Sequence, residues 1–81
     1  TWEFLVKCAL DPSEKGNTRV RAAYALASAA PDDVFGRLSV LRQDGTSFGA
    51  PGTKYGKSLV IAEEFEKYVK QRQEFGWGKS Q

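Results

Sequence analysis

The sequence predicts a small, mostly α-helical domain with one β-hairpin (α+β), in the order α-α-α-β-β-α. Apolar residues recur at helical spacing in four segments, and a glycine-rich stretch, Gly45 to Ser58, precedes the last of them. At 81 residues the chain predicts a single domain, residues 1–81, with a small core. The side chains expected to supply that core include Trp2, Phe4, Leu5, Leu10, Val20, Tyr24, Leu26, Phe35, Leu38, Leu41, Phe65 and Val69.

The first helix is predicted from its apolar residues, which fall at positions i, i+3, i+4, i+7 and i+8. They are Trp2, Leu5, Val6, Ala9 and Leu10. Asp11-Pro12 ends this helix, because a residue that precedes proline is pushed out of the helical region.

The second helix is predicted from Arg19 to Ala30, with Asn17 or Thr18 as its N-cap and Pro31 after its end. Its many alanines give it a high helix propensity, and they allow another helix to approach closely. The predicted apolar stripe consists of Val20, Tyr24, Ala27 and Ala30.

A third helix is predicted to start at Pro31-Asp32-Asp33, where acidic side chains favour the positive end of the helix dipole, and to stop at Asp44-Gly45. Val34, Phe35, Leu38 and Leu41 follow at helical spacing. Leu38 to Leu41 also fits a strand, with Asp44-Gly45 as a hairpin turn. The helix is favoured because four apolar positions match its period.

After the glycine-rich stretch, Leu59-Val60-Ile61 is a short β-prone run. The final helix is predicted from an apolar stripe and from the pairs Glu63/Lys67 and Glu66/Lys70 on its wet face, and it ends at Gly76-Trp77-Gly78. The stripe consists of Phe65, Tyr68, Val69 and Phe75.

The composition argues against most enzyme classes. The chain has no histidine, which is the commonest general base, and its one cysteine, Cys8, lies in an apolar helical segment. A Cys/His zinc site and an internal disulfide are therefore both excluded. The expectation is a soluble intracellular non-enzyme with no cofactor, no metal and no membrane partner, and its net charge of +2 permits a nucleic-acid partner without requiring one.

The glycine-rich stretch suggests either a flexible basic hairpin or a phosphate-cradling loop. Gly49 to Ser58 looks like a P-loop nucleotide-binding motif with Lys54 and Tyr55 inserted. However, Pro51 stands where that motif needs a glycine, and a proline removes a backbone N–H donor. Nucleotide hydrolysis is therefore not expected, although Lys57 remains a candidate phosphate contact.

One pattern carries a family resemblance. The spacing of Tyr24, Ala25, Ala29, Ala30, Phe35 and Leu38 looks like the buried positions of a helix-turn-helix. Leu38 to Gly45 is similar to the end of a recognition helix that runs into a wing. Together these segments resemble the winged helix-turn-helix superfamily. Asp32 and Asp33 depart from it, because carboxylates at the start of a recognition helix repel DNA phosphates.

The resemblance implies a nucleic-acid-binding surface. Arg37, Arg42, Ser39 and Gln43 would lie on the recognition helix, and Arg19 and Arg21 in the first turn of the preceding helix. Lys54 and Lys57 would lie on the wing, where Tyr55 or Phe48 would stack on a base or sugar. The candidate site is therefore Arg19, Arg21, Arg37, Arg42, Gln43, Lys54, Tyr55 and Lys57. The alternative for each of them is a solvated surface residue.

Two functions follow from this sequence. The first is a non-enzymatic domain of winged-helix type that binds duplex DNA or RNA through a basic helix and a glycine-rich basic wing. The alternative is a protein-interaction module or accessory subunit that docks through the glycine-rich loop and the aromatic end formed by Phe75 and Trp77. That end is expected either to contact a partner or to fold back onto Trp2. The modest net charge and the acids Asp32 and Asp33 favour the alternative.

Overall fold

The computed structural model describes residues 2–48 and 59–76. Their helices and strands follow the predicted order, and the described chain is mostly helical, so the predicted fold class is confirmed. The helices are α1 (Trp2–Leu10), α2 (Gly16–Ala29), α3 (Asp32–Phe35), a 3₁₀-helix that continues α3 (Gly36–Gln43) and α4 (Ile61–Phe75). The two strands are β1 (Ser47–Phe48) and β2 (Leu59–Val60).

The core lies where α1 packs against α2 and α4 covers the other side of α2. Val6 and Ala9 of α1 are buried, and the buried alanines of α2 permit close helix contact. The apolar buried residues of α2 are Ala22, Ala23, Leu26 and Ala27. Ala30 and Leu38 are also fully buried.

Two aromatic residues that the sequence placed in the core are exposed. Phe4 is 70% exposed and Tyr24 is 47% exposed, so both core predictions are wrong. Phe4 lies two positions before buried Val6, and Tyr24 lies two positions before buried Leu26. Two positions correspond to a rotation of about 200° around a helix. That angle turns the Phe4 ring outward, whereas Tyr24, about 60° around the helix from buried Ala27, lies at the edge of the packed face. Tyr24 instead meets the ring of Tyr68 on α4 edge-on, with centroids 5.4 Å apart.

Helix α2 begins earlier than predicted. It starts at Gly16 and has Lys15 as an N-cap without a side-chain hydrogen bond, so the prediction of Asn17 or Thr18 as the cap is wrong. Gly16 lies against Phe48 of β1, and an ideal Cβ built on Gly16 would stand 2.0 Å from the Phe48 Cβ. The glycine therefore lets the hairpin lie directly on the start of α2.

Two glycine substitutions are expected to act with opposite signs. Gly16→Ala should destabilise the protein by about 1–3 kcal/mol, because the new methyl group displaces Phe48. Gly36→Ala should stabilise it by about 0.5–1 kcal/mol, because a Cβ there meets nothing within 4 Å and alanine is the better helix former. Urea unfolding followed by circular dichroism measures both changes. A Gly16→Ala variant as stable as the parent would contradict the close packing of Gly16 against Phe48, and a destabilised Gly36→Ala variant would contradict the open space at Gly36.

The third predicted helix is present, and the alternative strand at Leu38 to Leu41 is wrong. Its first turn is α-helical, but residues 36–43 form a 3₁₀-helix, which has about three residues per turn. That period places Phe35, Leu38 and Leu41 in one line, with exposures of 8%, 0% and 2%. The remaining residues form two further lines, Gly36-Ser39-Arg42 and Arg37-Val40-Gln43.

The strands form a two-residue antiparallel ladder that leads directly into α4. Ser47 pairs with Val60 and Phe48 pairs with Leu59. The Ile61 N–H donates to the Thr46 carbonyl oxygen at 3.0 Å, which fixes the first turn of α4 to the segment before β1.

Helix α4 directs Ile61, Phe65 and Arg72 inward, and Gly76 ends it with a left-handed φ of 68°, as predicted. The Phe65 ring lies 5.3 Å from that of Phe35 between their centroids. Phe75, the last member of the predicted apolar stripe, is 67% exposed. The predicted packing of the aromatic end onto Trp2 involves Trp77, which lies outside the described residues.

Candidate functional site

Arg19, the first residue of the predicted cationic site, is buried and only 2% exposed. Its Nε donates to the Ala9 carbonyl oxygen at 3.1 Å, and its Nη2 donates to Asp44 Oδ2 at 2.6 Å. Arg19 thereby joins the end of α1 to the end of the 3₁₀-helix. This position corrects the surface location that the family resemblance implied, because the guanidinium is enclosed by the fold.

Asp44 completes this buried connection. Its Oδ1 accepts the Thr46 backbone N–H at 3.0 Å, while its other oxygen holds Arg19. Hydrogen bonds from Thr46, followed by the hydrogen bond and charge of Arg19, hold the pKa of Asp44 below its ordinary value of 3.8. The folded state therefore favours the charged carboxylate.

The lowered pKa of Asp44 predicts an acid-sensitive contribution to stability. That contribution is fully present above the unfolded pKa and is lost as the pH falls through the lower folded pKa. Asp44→Asn removes the titration, so below about pH 4 the free energy of unfolding should fall less steeply for the variant than for the parent. Urea unfolding at a series of acidic pH values measures this difference. Parallel pH profiles for the two proteins would contradict it.

Arg37 and Arg42 lie on different lines of the 3₁₀-helix and point toward different helices. Arg37 forms an ion pair with Glu3 of α1, which lowers the pKa of Glu3 and raises that of Arg37. Arg42 pairs with Glu66 of α4, with 3.0 Å between Nη1 and Oε1. The structure therefore separates these two predicted contacts, and each has a carboxylate beside it.

The other predicted site residues lie elsewhere. Arg21 is exposed on α2, and Gln43 is exposed at the end of the 3₁₀-helix. Phe48, the alternative stacking residue, is 8% exposed and belongs to the core. The three wing residues Lys54, Tyr55 and Lys57 fall outside residues 2–48 and 59–76. Among the described cations no single basic face brings together Arg19, Arg37 and Arg42.

Arg72 is a buried residue that sequence reasoning missed. Its Nη1 donates to the carbonyl oxygens of Leu26 and Ala27 at 3.3 and 2.7 Å. Its Nη2 donates to the Ala30 carbonyl oxygen at 2.6 Å and to Asp32 Oδ1 at 2.7 Å. Arg72 thus satisfies carbonyl groups at the end of α2 and ties them to the start of α3. The available sequence signal was its spacing from Ile61 and Phe65, which puts it on the inward face.

A groove, which we call the α4 groove, runs between α4 and the continuous helical segment Asp32–Gln43. It encloses a cavity of about 420 Å³. The rings of Phe35 and Phe65 and the side chain of Val69 supply its apolar surface. Two guanidinium groups lie against those rings, with the Arg72 Cζ 4.8 Å from the Phe35 centroid and the Arg42 Cζ 5.9 Å from that of Phe65.

The α4 groove continues along the outer side of α4 into a second depression of about 460 Å³. Arg42 and Val69 line both parts. Two glutamates and two lysines line the second part, namely Glu63, Glu66, Lys67 and Lys70. The combined surface therefore offers an apolar depression beside exposed charges of both signs.

The chain matches no model of a known protein family, no curated protein and no solved structure. The likeness to the winged helix-turn-helix superfamily therefore stays a prediction from the residue pattern. Across residues 2–48 and 59–76, no helix has the length and apolar character needed to cross a bilayer. The same residues contain no group of three or more His, Cys, Asp or Glu side chains placed to share a metal ion.

Proposed function

We propose that this chain is a protein-interaction module whose α4 groove binds a peptide segment with one bulky apolar side chain next to a carboxylate. The observation that carries the proposal is the pair of aromatic rings, Phe35 and Phe65, that line a cavity with an arginine against each ring. Such a cavity suits an apolar anchor, and the half-exposed Arg42 supplies a positive charge for the carboxylate beside that anchor.

The apolar part of the proposed site is already formed. Phe35 and Phe65 are 8% and 2% exposed, so their positions are fixed by the core while part of their surface lines the groove. Ser39 stands between Gly36 and Arg42 on the same line of the 3₁₀-helix and presents a small side chain to the cavity. A bulky side chain from a partner can therefore enter without displacing a large residue of this chain.

The charge of the groove favours an acidic neighbour at its Arg42 end. The Arg42 side chain is 50% exposed, and its partner Glu66 is equally exposed, so their ion pair is weak and open to exchange. An incoming carboxylate can therefore replace Glu66 at Arg42, and little ion-pair energy is lost in the exchange. The Asp32 side chain is 80% exposed and marks the opposite end of the same helical segment. Asp32 is paired with Arg72 there, so the Arg72 charge is already matched and the carboxylate of a bound segment is favoured at the Arg42 end.

Nucleic-acid binding, the other function that the sequence suggested, receives less support from the described cations. Arg19 is enclosed, Arg37 is directed to α1 and Arg42 is directed to α4. Phosphate binding would therefore depend on Arg21, on the wing lysines and on opening the exposed ion pairs of Arg37 and Arg42. The binding experiment below therefore measures a DNA duplex beside the peptide.

The experiment is fluorescence anisotropy with a labelled, blocked peptide of sequence Ser-Gly-Phe-Glu-Gly-Ser. We expect a dissociation constant of about 0.1–1 mM, which is reasonable for a single anchor. Changing the peptide's Phe to Ala should abolish binding, and changing its Glu to Lys should weaken binding by about threefold to tenfold. A labelled mixed-sequence DNA duplex is measured beside it.

Matched protein variants locate the binding surface. Ser39→Trp should fill the groove and weaken peptide binding at least about tenfold, whereas Ser47→Trp, at another exposed serine, should leave it unchanged. Arg42→Gln should weaken it by about threefold to tenfold, and Arg21→Gln should not. The proposal fails if no peptide binds or if Ser39→Trp binds normally. Tight duplex binding that Arg21→Gln weakens would support nucleic-acid recognition instead.

A further inference from the structure

A third cavity, of about 410 Å³, lies on the side of the 3₁₀-helix away from the α4 groove. The ion pair of the buried Arg19 and the partly exposed Asp44 forms what we call its floor, and its other lining residues include Leu10, Pro12 and Val40. We infer that this cavity, which we call the Arg19 pocket, binds a neutral peptide-type amide attached to an aliphatic group. The inference is independent of the function proposed for the α4 groove.

Arg19 lines this pocket and has hydrogen-bond donors that no described acceptor uses. A guanidinium carries five N–H groups. In the described part of the chain, Nε bonds to the Ala9 carbonyl oxygen and Nη2 bonds to Asp44, while Nη1 has no acceptor. The side chain is only 3% exposed, yet no fully buried side-chain nitrogen or oxygen of the described residues lacks a partner. Nη1 is therefore not fully buried, and Arg19 is one of the residues that line the pocket.

Asp44 supplies acceptor sites beside those donors. Its two oxygens have about four lone-pair positions, and Arg19 and the Thr46 backbone N–H occupy two of them. The pocket floor thus presents donors and acceptors side by side, and the pair has no net charge. Removing these groups from water is unfavourable unless a ligand replaces the hydrogen bonds.

A neutral ligand that both accepts and donates hydrogen bonds matches the two halves of the floor better than a charged ligand, and a peptide-type amide is such a ligand. A carboxylate ligand would bring a second negative charge against Asp44, and an ammonium would bring a second positive charge against Arg19. A neutral amide has a carbonyl oxygen that accepts from Arg19 and an N–H that donates to Asp44. The Val40 side chain, which is 60% exposed at the mouth, and Leu10 then cover an aliphatic group.

The test is a ¹H–¹⁵N NMR titration of the full chain with three probes that share one aliphatic group. The probes are N-acetyl-leucinamide, 4-methylpentanoate and isopentylamine. N-acetyl-leucinamide should shift the signals of Leu10, Val40, Gly45 and the Arg19 side chain, with a dissociation constant of about 1–10 mM. The carboxylate and the amine should bind at least about fivefold more weakly, because each places a like charge on the floor. Equal binding of all three probes, or shifts located elsewhere, would overturn the inference.

Two variants keep the test decisive. Arg19→Lys retains the charge but removes the planar array of donors, so binding of N-acetyl-leucinamide should be lost. Val40→Trp fills the pocket mouth from an exposed position and should weaken binding at least about tenfold even if the Arg19 variant fails to fold. Ser39→Trp, which faces the α4 groove, should leave binding unchanged. Normal binding to Val40→Trp would also overturn the inference.

Discussion

Replacing Arg72 with alanine is expected to lower the free energy of unfolding by about 3 kcal/mol. The substitution leaves the carbonyl oxygens of Leu26, Ala27 and Ala30 without their charged donor inside the protein. It also removes the cation that holds Asp32 at the start of α3. A domain of this length has a total stability of about 4–12 kcal/mol, so this loss removes about a quarter to three quarters of it.

Urea unfolding followed by circular dichroism measures the Arg72 effect, and two comparisons interpret it. Arg72→Lys keeps the charge but not the planar fork, and it should lose about half as much stability as Arg72→Ala. Lys70→Ala changes an exposed cation of the same helix and should stay within about 0.5 kcal/mol of the parent. A loss below about 1 kcal/mol for Arg72→Ala would contradict the role given to this side chain.

Replacing Arg19 with alanine is expected to destabilise the protein by about 2–4 kcal/mol. The change removes the donor to the Ala9 carbonyl oxygen and leaves the partly buried Asp44 carboxylate without its cation. The end of α1 and the segment that follows the 3₁₀-helix are then no longer connected through the Arg19 side chain. Unfolding in urea measures the effect.

A double-mutant cycle separates the ion pair from the rest of the Arg19 effect. Arg19→Ala combined with Asp44→Ala should be less destabilising than the sum of the two single changes, by about 1–2 kcal/mol, because one partner alone leaves the other unpaired. Additive effects would show that the two side chains do not support each other. Arg21→Ala, a cation in the same helix that is exposed, serves as the control.

The helices were predictable because their apolar spacing is strong and their ends carry Pro12, Pro31 and Gly76. The detailed burial was less predictable. Tyr24 and Ala27 were placed on one stripe, but α2 is covered on two sides, and in an alanine-rich helix small residues do not reveal which face is packed. The 3₁₀ form of residues 36–43 was missed for a related reason. Phe35, Leu38 and Leu41 fit both helical periods when only spacing is available.

The functional prediction relied on charged residues being at the surface, and this assumption failed for Arg19. Lys and Arg are rarely buried unless paired, so a sequence gives them a surface position by default. Arg19 and Arg72 both break that expectation, because helix ends expose carbonyl groups that need donors. Tertiary contacts between distant segments decide which arginines do this, and local spacing does not contain them. The α4 groove was missed because it depends on such contacts, such as the one between Phe35 and Phe65.

The most direct test of the proposed docking role is a ¹H–¹⁵N NMR titration of the full chain with the blocked peptide Ser-Gly-Phe-Glu-Gly-Ser. We predict that the backbone signals of Gly36, Ser39, Arg42, Val69 and Gln73 shift most and saturate together, since these residues line the α4 groove. An unchanged spectrum at millimolar peptide, or shifts that map to α1 and the outer face of α2, would contradict the account.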